Sequence, residues 1–169
     1  PRLIEETSPL IKNAQNITYK LHLNTAISVA FALGRILDSK SGVDVVPYQR
    51  TASTGIIPWG QNKDLGIYDD WIKRVWVNDT SCQESKMDIL TVSITKDIVQ
   101  EVEDYLAEED KKVDKLITCK LPRCDNDAVK SGGHAKFLAD GIYKTIAEER
   151  SNKVLHMFIS APAVFCYYL

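Results

Sequence analysis

The sequence has no C-x-x-C pair, and its four cysteines, Cys82, Cys119, Cys124 and Cys166, are scattered along the chain. That spacing argues against a disulfide framework and fits free thiols in a reducing compartment. The interval between Cys119 and Cys124 is loose for a metal-binding pair, even with Cys82 and His134 added, so no metal is expected. No charged leader followed by an apolar run opens the chain, and the composition is that of a soluble globular protein, so a cytoplasmic setting away from membranes is expected. Charge of one sign is also lacking. A net charge of -2 gives no broad attraction for duplex nucleic acid, but it leaves room for a small anion in a local basic pocket. The phosphate-binding G-x-x-x-x-G-K-[ST] and G-x-G-x-x-G loops, the G-x-S-x-G elbow and the H-E-x-x-H helix are all missing, which removes the usual signatures of those enzyme classes.

What is present is a device used twice. Ile17–Gly34 and Lys153–Leu169 each read as a short apolar strand that passes through a small polar loop into an apolar helix. When the two stretches are superimposed, Asn24 meets Ser160 and Leu33 meets Leu169. A strand emptying into a helix N-terminus gathers backbone N–H groups, small side chains and the positive end of the helix dipole, which is how α/β domains hold phosphates. The 169 residues suit one domain or two small halves sharing a core, burying roughly 70% of the unfolded surface. The chain opens on Pro1 and stops at Tyr168-Leu169 inside an apolar helical pattern, so it is expected to be part of a larger protein.

Along the chain, Ile17–Leu23 reads as a strand and Thr25–Leu37 as a helix apolar almost all round, which has to be covered on most faces. A second strand runs from Val43 to Arg50. Residues 51–86 are irregular and hold Trp59, Trp71 and Trp76; Trp71–Val77 has an imperfect strand pattern. Met87–Ile94 reads as a buried strand. Asp97 with Gln100 fits a capping box for a helix whose core stripe is Ile98, Val102 and Leu106. The charged stretch Glu108–Lys112 is a solvated turn, and Leu116–Cys119 a strand. Ser131-Gly132-Gly133 introduces a helix ending near Arg150, before the final strand and helix. The sum predicts an α/β fold with a mainly parallel sheet and helices on both faces, in two related halves, roughly 1–86 and 87–169.

Three strand-to-helix junctions carry Asn24-Thr25, Thr95-Lys96 and Ser160-Ala161-Pro162, and a parallel sheet would place all three along one edge. Ordinary helix capping uses the same residue types. Tyr48-Gln49-Arg50 ends another strand there, offering a stacking face, an amide able to read a base edge and a bidentate fork for phosphate. Trp59 could stack on a nucleobase or simply pin its loop in the core. Ser131–His134 could cradle a phosphate or be an entry turn with a surface histidine, while His22 and His156 read as half-buried sheet residues. The carboxylates Glu101, Glu103, Asp104, Glu108, Glu109 and Asp110 spread over several helix faces and read as solvated surface rather than an acid–base pair.

Leu21–Arg35 and Leu155–Ala163 resemble the SAVED domain, the sensor module of bacterial anti-phage effectors in cyclic-oligonucleotide (CBASS) signalling, and Met87–Leu106 is similar to another SAVED segment. The family's last helix normally carries Leu-Gly, and here the chain stops at Leu169, where the Gly would follow. The resemblance implies two fused CARF-like, Rossmann-like halves. It implies a cyclic di- or trinucleotide ligand, no cofactor and no chemistry in this chain. Ligand-driven self-association would then switch on a fused effector, most often an HNH or restriction-type nuclease, and the effector alone would touch DNA. The residues expected at the ligand are Asn24, Thr25, Tyr48, Gln49, Arg50, Trp59, Thr95, Lys96, Ser160, Ala161 and Pro162. The alternatives are a domain that itself cleaves cyclic oligonucleotides and a purely structural oligomerisation domain.

Overall fold

The computed structural model describes residues 17–37, 40–51, 55–60, 68, 70–77, 87–149 and 151–169. The chain divides into two compact units, one made of Pro1–Gly66, Val129–Asp140 and Pro162–Leu169, the other of Ile67–Ala128 and Gly141–Ala161. These interleaved segments follow a different division from the contiguous halves 1–86 and 87–169 drawn from the pseudo-repeat. Cys82 lies outside the described residues.

In the first unit, β1 (Thr18–His22) leads to α1 (Ile27–Ile36), β2 (Asp44–Thr51) and β3 (Gly55–Pro58). The β1 and β2 strands are parallel, in register from Thr18 opposite Asp44 to His22 opposite Tyr48, and β3 folds back antiparallel on β2. Gly55 stands at φ 77°, a backbone geometry that glycine adopts without penalty, where the hairpin returns. Of the α1 residues only Ala30 is fully buried, while Val29, Phe31, Leu33 and Ile36 are half-buried. The expected cover on most faces is therefore partial.

That partial cover comes from the final helix, α4 (Ala163–Tyr168), packed along α1 and buried from Val164 to Tyr168. Gly34 makes the approach possible: a Cβ there would stand 1.8 Å from the carbonyl oxygen of Tyr167. Two hydroxyls fasten the same helix, Tyr167 donating to the Leu37 carbonyl at 3.1 Å and Tyr168 to the Trp59 carbonyl. Gly132 opens α3 (Gly132–Glu148), and its imagined Cβ would sit 2.2 Å from the Trp59 carbonyl oxygen. The glycine pair after Ser131 thus begins with a packing requirement. Ser131 caps the helix by accepting the His134 N–H at 3.1 Å, and His134 is buried at 3% exposure rather than on the surface.

The second unit contains β4 (Ile72–Val77), β5 (Met87–Ser93), α2 (Val99–Glu108), β6 (Val113–Lys120) and β7 (Leu155–Ser160), with the later part of α3. Its sheet runs β4-β6-β5-β7, with β5 parallel to both neighbours and β4 antiparallel to β6. Ile89, Leu90, Thr91, Val92 and Ser93 are all at 0% exposure, the signature of a strand covered on both faces. Ile89 packs with Val102 and Leu106 from α2, and Met87, Ile98, Val113, Leu116 and Phe158 close around them. The Trp71 indole lies against Gly141, 2.8 Å from where a Cβ would be.

The charged turn after α2 is exposed, as expected. The capping box is not formed. Helix α2 begins one turn-residue later, with Ile98 at the N-cap position. Its free N–H groups are taken by Ser93, whose hydroxyl accepts from Ile98 at 3.1 Å, and by Asp97, whose carboxylate accepts from Val99 at 3.2 Å. Gln100 points forward to Asp104 at 2.9 Å instead of back to the cap.

Candidate functional site

Parallel strands expose their carboxyl ends as a row, and α/β folds bind ligands beyond that row. Each unit has such an edge, and the strand-end residues expected at the ligand are divided between the two.

In the first unit the edge is the last pair of β1 and β2. The rings of His22 and Tyr48 stack there, with centroids 4.7 Å apart and planes 23° from parallel. The Leu23 N–H donates to the Tyr48 carbonyl at 3.3 Å, holding the loop that carries Asn24 and Thr25. Both of these residues are exposed, and neither caps α1, whose N-cap is Ala26 without a side-chain bond. Ordinary capping therefore does not account for them. Arg50 is exposed, and its side chain has no ion pair among the described residues.

Two expected members of this edge have other work. The side-chain oxygen of Gln49 accepts the Val164 N–H at 3.2 Å, and its amide NH2 donates to the Arg50 carbonyl at 2.9 Å, so it caps α4 instead of standing free to read a base. Trp59 is a core residue at 3% exposure, its backbone N–H donating to the Pro47 carbonyl at 2.7 Å. No stacking face is offered. Conversely, His22 is exposed rather than half-buried, and it is an edge residue that the sequence reading missed. Only the register, which sets it opposite Tyr48, reveals the pairing.

In the second unit Lys120, Ser93 and Ser160 end three adjacent strands and are direct partners across the sheet. The Ser160 carbonyl accepts the N–H groups of Ile94 at 2.8 Å and Thr95 at 3.0 Å, while the Thr95 and Ser160 hydroxyls meet at 2.8 Å. Thr95 and Ser160 are thus held together, but the Thr95 backbone N–H is already used. Lys96 is exposed and pairs with Glu101. Lys120, which the sequence reading did not single out, donates to Asp97 at 2.6 Å. That bond, opposed by partial burial and aided by the Val99 N–H, holds the Asp97 carboxyl below the ordinary carboxylate range. A groove of about 690 Å3 opens beside the pair, lined by Arg74, Trp76, Gln100 and Thr118 among others. Ala161 and Pro162 are half-buried, and Pro162 serves as the N-cap of α4.

The described thiols give no nucleophile at these edges. Burial pushes Cys119 up to about 11 and Cys166 up to about 12, and Cys124, also raised by burial, donates to the Ser93 carbonyl at 3.4 Å. No group of three or more metal-ligating side chains occurs among the described residues.

The family model for the SAVED domain, the SMODS-associated and fused to various effectors sensor domain, matches residues 1–169. The chain belongs to the SAVED family. A relative, CD-NTase-associated protein 4 of Enterobacter hormaechei subsp. hoffmannii (strain UCI 50), is 27% identical over 154 residues, covering 89% of this chain and 30% of that protein. The fold is similar to the SAVED/CARF-domain containing receptor Cap4 of Acinetobacter baumannii. With the cyclic trinucleotide 3'3'3'-cAAA bound to that receptor, the TM-score is 0.69 at 14% identity, over 99% of this chain and 36% of the other. With 2'3'3'-cAAA it is 0.66 at 12% identity, over 99% and 35%. This SAVED chain therefore spans about a third of the length of the proteins it matches. The mixed α/β architecture read from the sequence agrees with these SAVED/CARF structures.

Proposed function

We propose that this chain is the ligand-sensing part of a larger effector and that it binds a cyclic oligonucleotide, a cyclic trinucleotide being the first candidate. The observation that carries the reading is membership of the sensor-domain family along the whole chain. The fold it shares with a receptor solved with two cyclic triadenylates supports the ligand class. The geometry supplies suitable chemistry: an exposed guanidinium and a stacked aromatic pair at one strand-end edge, and paired hydroxyls with two lysines at the other. At the first unit's edge phosphates would meet Asn24, Thr25 and Arg50 with a base against Tyr48, and at the second unit's edge phosphates would meet Thr95, Lys96 and Ser160, each edge taken by itself. No cofactor takes part. The ring is bound and released intact, since the carboxylates on α2 are solvated and the described thiols are protonated at neutral pH.

The output belongs to the parent protein. Binding energy that differs between two association states is enough to switch a fused effector, here proposed to be a nuclease in anti-phage defence, through self-association of sensors in the cytoplasm. A thermal-shift series with 3'3'3'-cyclic triadenylate, its 2'3'3' isomer and cyclic dinucleotides tests the ligand class. The cognate ring stabilises by about 2.7 kcal/mol at a hundredfold excess over Kd. Absence of any shift, with the parent protein responding to the same ring, would place the sensor elsewhere in that protein.

A further inference from the structure

We infer that Lys120 is the phosphate-contacting cation of the second unit's sheet edge. The inference rests on the cyclic-oligonucleotide reading for the identity of the ligand, and on this unit alone for its geometry. Lys120, Ser93 and Ser160 are direct partners at the ends of β6, β5 and β7, and directly paired residues project to the same face of a sheet. That face is the one toward α2, because the Ser93 hydroxyl accepts the Ile98 N–H that opens the helix. Thr95 joins the row through its 2.8 Å contact with Ser160. One ammonium and a hydroxyl pair, in which one O–H bridges Thr95 and Ser160 and the other is left to donate to a phosphate oxygen, are therefore presented together, with Ser93 holding the helix start behind them.

The backbone of Lys120 is fixed on both sides, opposite Ile72 on one neighbour and Ser93 on the other. Lys96, the cation anticipated from the sequence, instead sits on a bend with 65% of its side chain exposed and pairs outward with Glu101. A contact from an ordered strand end loses less freedom on binding than one from an exposed bend. Asp97 keeps the Lys120 ammonium at the edge when no ligand is present, using one of its three donors. With side chains 38% and 44% exposed, this is a surface pair that a doubly hydrogen-bonding phosphate can share or displace.

The test measures affinity for 3'3'3'-cyclic triadenylate over a salt series, and the rise in melting temperature given by millimolar inorganic pyrophosphate. Both are measured in the intact chain and in Lys120→Ala, Lys120→Arg, Asp97→Asn and Lys96→Ala. Lys120→Ala is expected to weaken the nucleotide roughly ten- to a hundredfold and to flatten the salt dependence by about one counterion. Lys120→Arg restores most of the affinity, Lys96→Ala costs less, and Asp97→Asn, which removes an opposing charge, binds at least as tightly as the unaltered chain. Unchanged affinity in Lys120→Ala, or equal losses in Lys120→Ala and Asp97→Asn alongside equal losses of melting temperature, would make the pair structural and overturn the inference. If the unaltered chain ignores the nucleotide yet is stabilised by pyrophosphate through Lys120, the anion contact stands and the ligand reading falls. No response to either probe overturns both.

Discussion

Arg50 and Gly34 show how differently single residues act in this fold. Arg50, the last residue but one of β2, is exposed and its side chain has no ion pair among the described residues, so its removal is expected to leave the packing as it is. Arg50→Ala is expected to lower ligand affinity by about 1.5–3 kcal/mol, the worth of a charge-assisted phosphate contact, with the melting temperature nearly unchanged. Arg50→Lys recovers only part of it, because an ammonium lacks the planar fork. A melting temperature that falls in step with affinity would mark the residue as structural. Gly34 is the opposite case. A Cβ there meets a backbone oxygen, which cannot rotate away, so Gly34→Ala is expected to cost about 3 kcal/mol or more by denaturant titration, through separation of α1 from α4. Sequence alone presented Gly34 as one more small residue in an apolar helix, since the close neighbour lies more than 130 positions away in Tyr167. The same distance problem hid Trp59, whose backbone carbonyl is met by Gly132 and Tyr168, and Gln49, whose side chain is engaged by Val164, all in segments that only the fold brings near.

Helices and strands were more legible than their ends. The strand-to-helix junctions at Asn24 and at Ser160, the buried β5 and the amphipathic α2 follow directly from apolar periodicity, which is local information. The short β3 was missed because four residues that end in Pro58 carry no alternation to read. The capping box at Asp97 failed because Ser93, the residue before the loop, reached the helix start first. Helix α2 ends in a manner that yields a prediction. The Lys111 N–H donates to the Leu106 carbonyl at 2.9 Å and the Asp110 N–H to the Ala107 carbonyl at 3.2 Å, a Schellman arrangement with Asp110 at φ 47°. Glycine is the residue suited to that position. Asp110→Gly is expected to stabilise the chain by about 0.5–1 kcal/mol, read as a higher urea midpoint with an unchanged slope. A lower midpoint would show that the aspartate side chain contributes more than its backbone strain removes.

At the scale of the whole chain, buried thiols set how stability changes at high pH. Cys119 and Cys166 ionise at about 11 and about 12 in the folded protein, against 9.0 for a free thiol. The folded state thus holds protons that the unfolded chain gives up first, and their contribution is complete below pH 9 and lost as the pH rises toward 11 to 12. Unfolding midpoints are expected to be flat with respect to these groups from neutral pH to 9 and to fall above it. Cys119→Ser and Cys166→Ser would each flatten part of that decline. The same protonation keeps these two thiols from reacting with alkylating reagents in the native state at pH 7. The central claim about the molecule concerns the ligand. Isothermal titration of the chain with 3'3'3'-cyclic triadenylate, followed by chromatography of the recovered nucleotide, measures binding and ring integrity in one experiment. The account predicts saturable heat, a loss of affinity in Arg50→Ala, and the cyclic nucleotide recovered whole. Linear products would make the chain an enzyme, and absence of heat with every cyclic di- and trinucleotide tried would contradict the sensor reading.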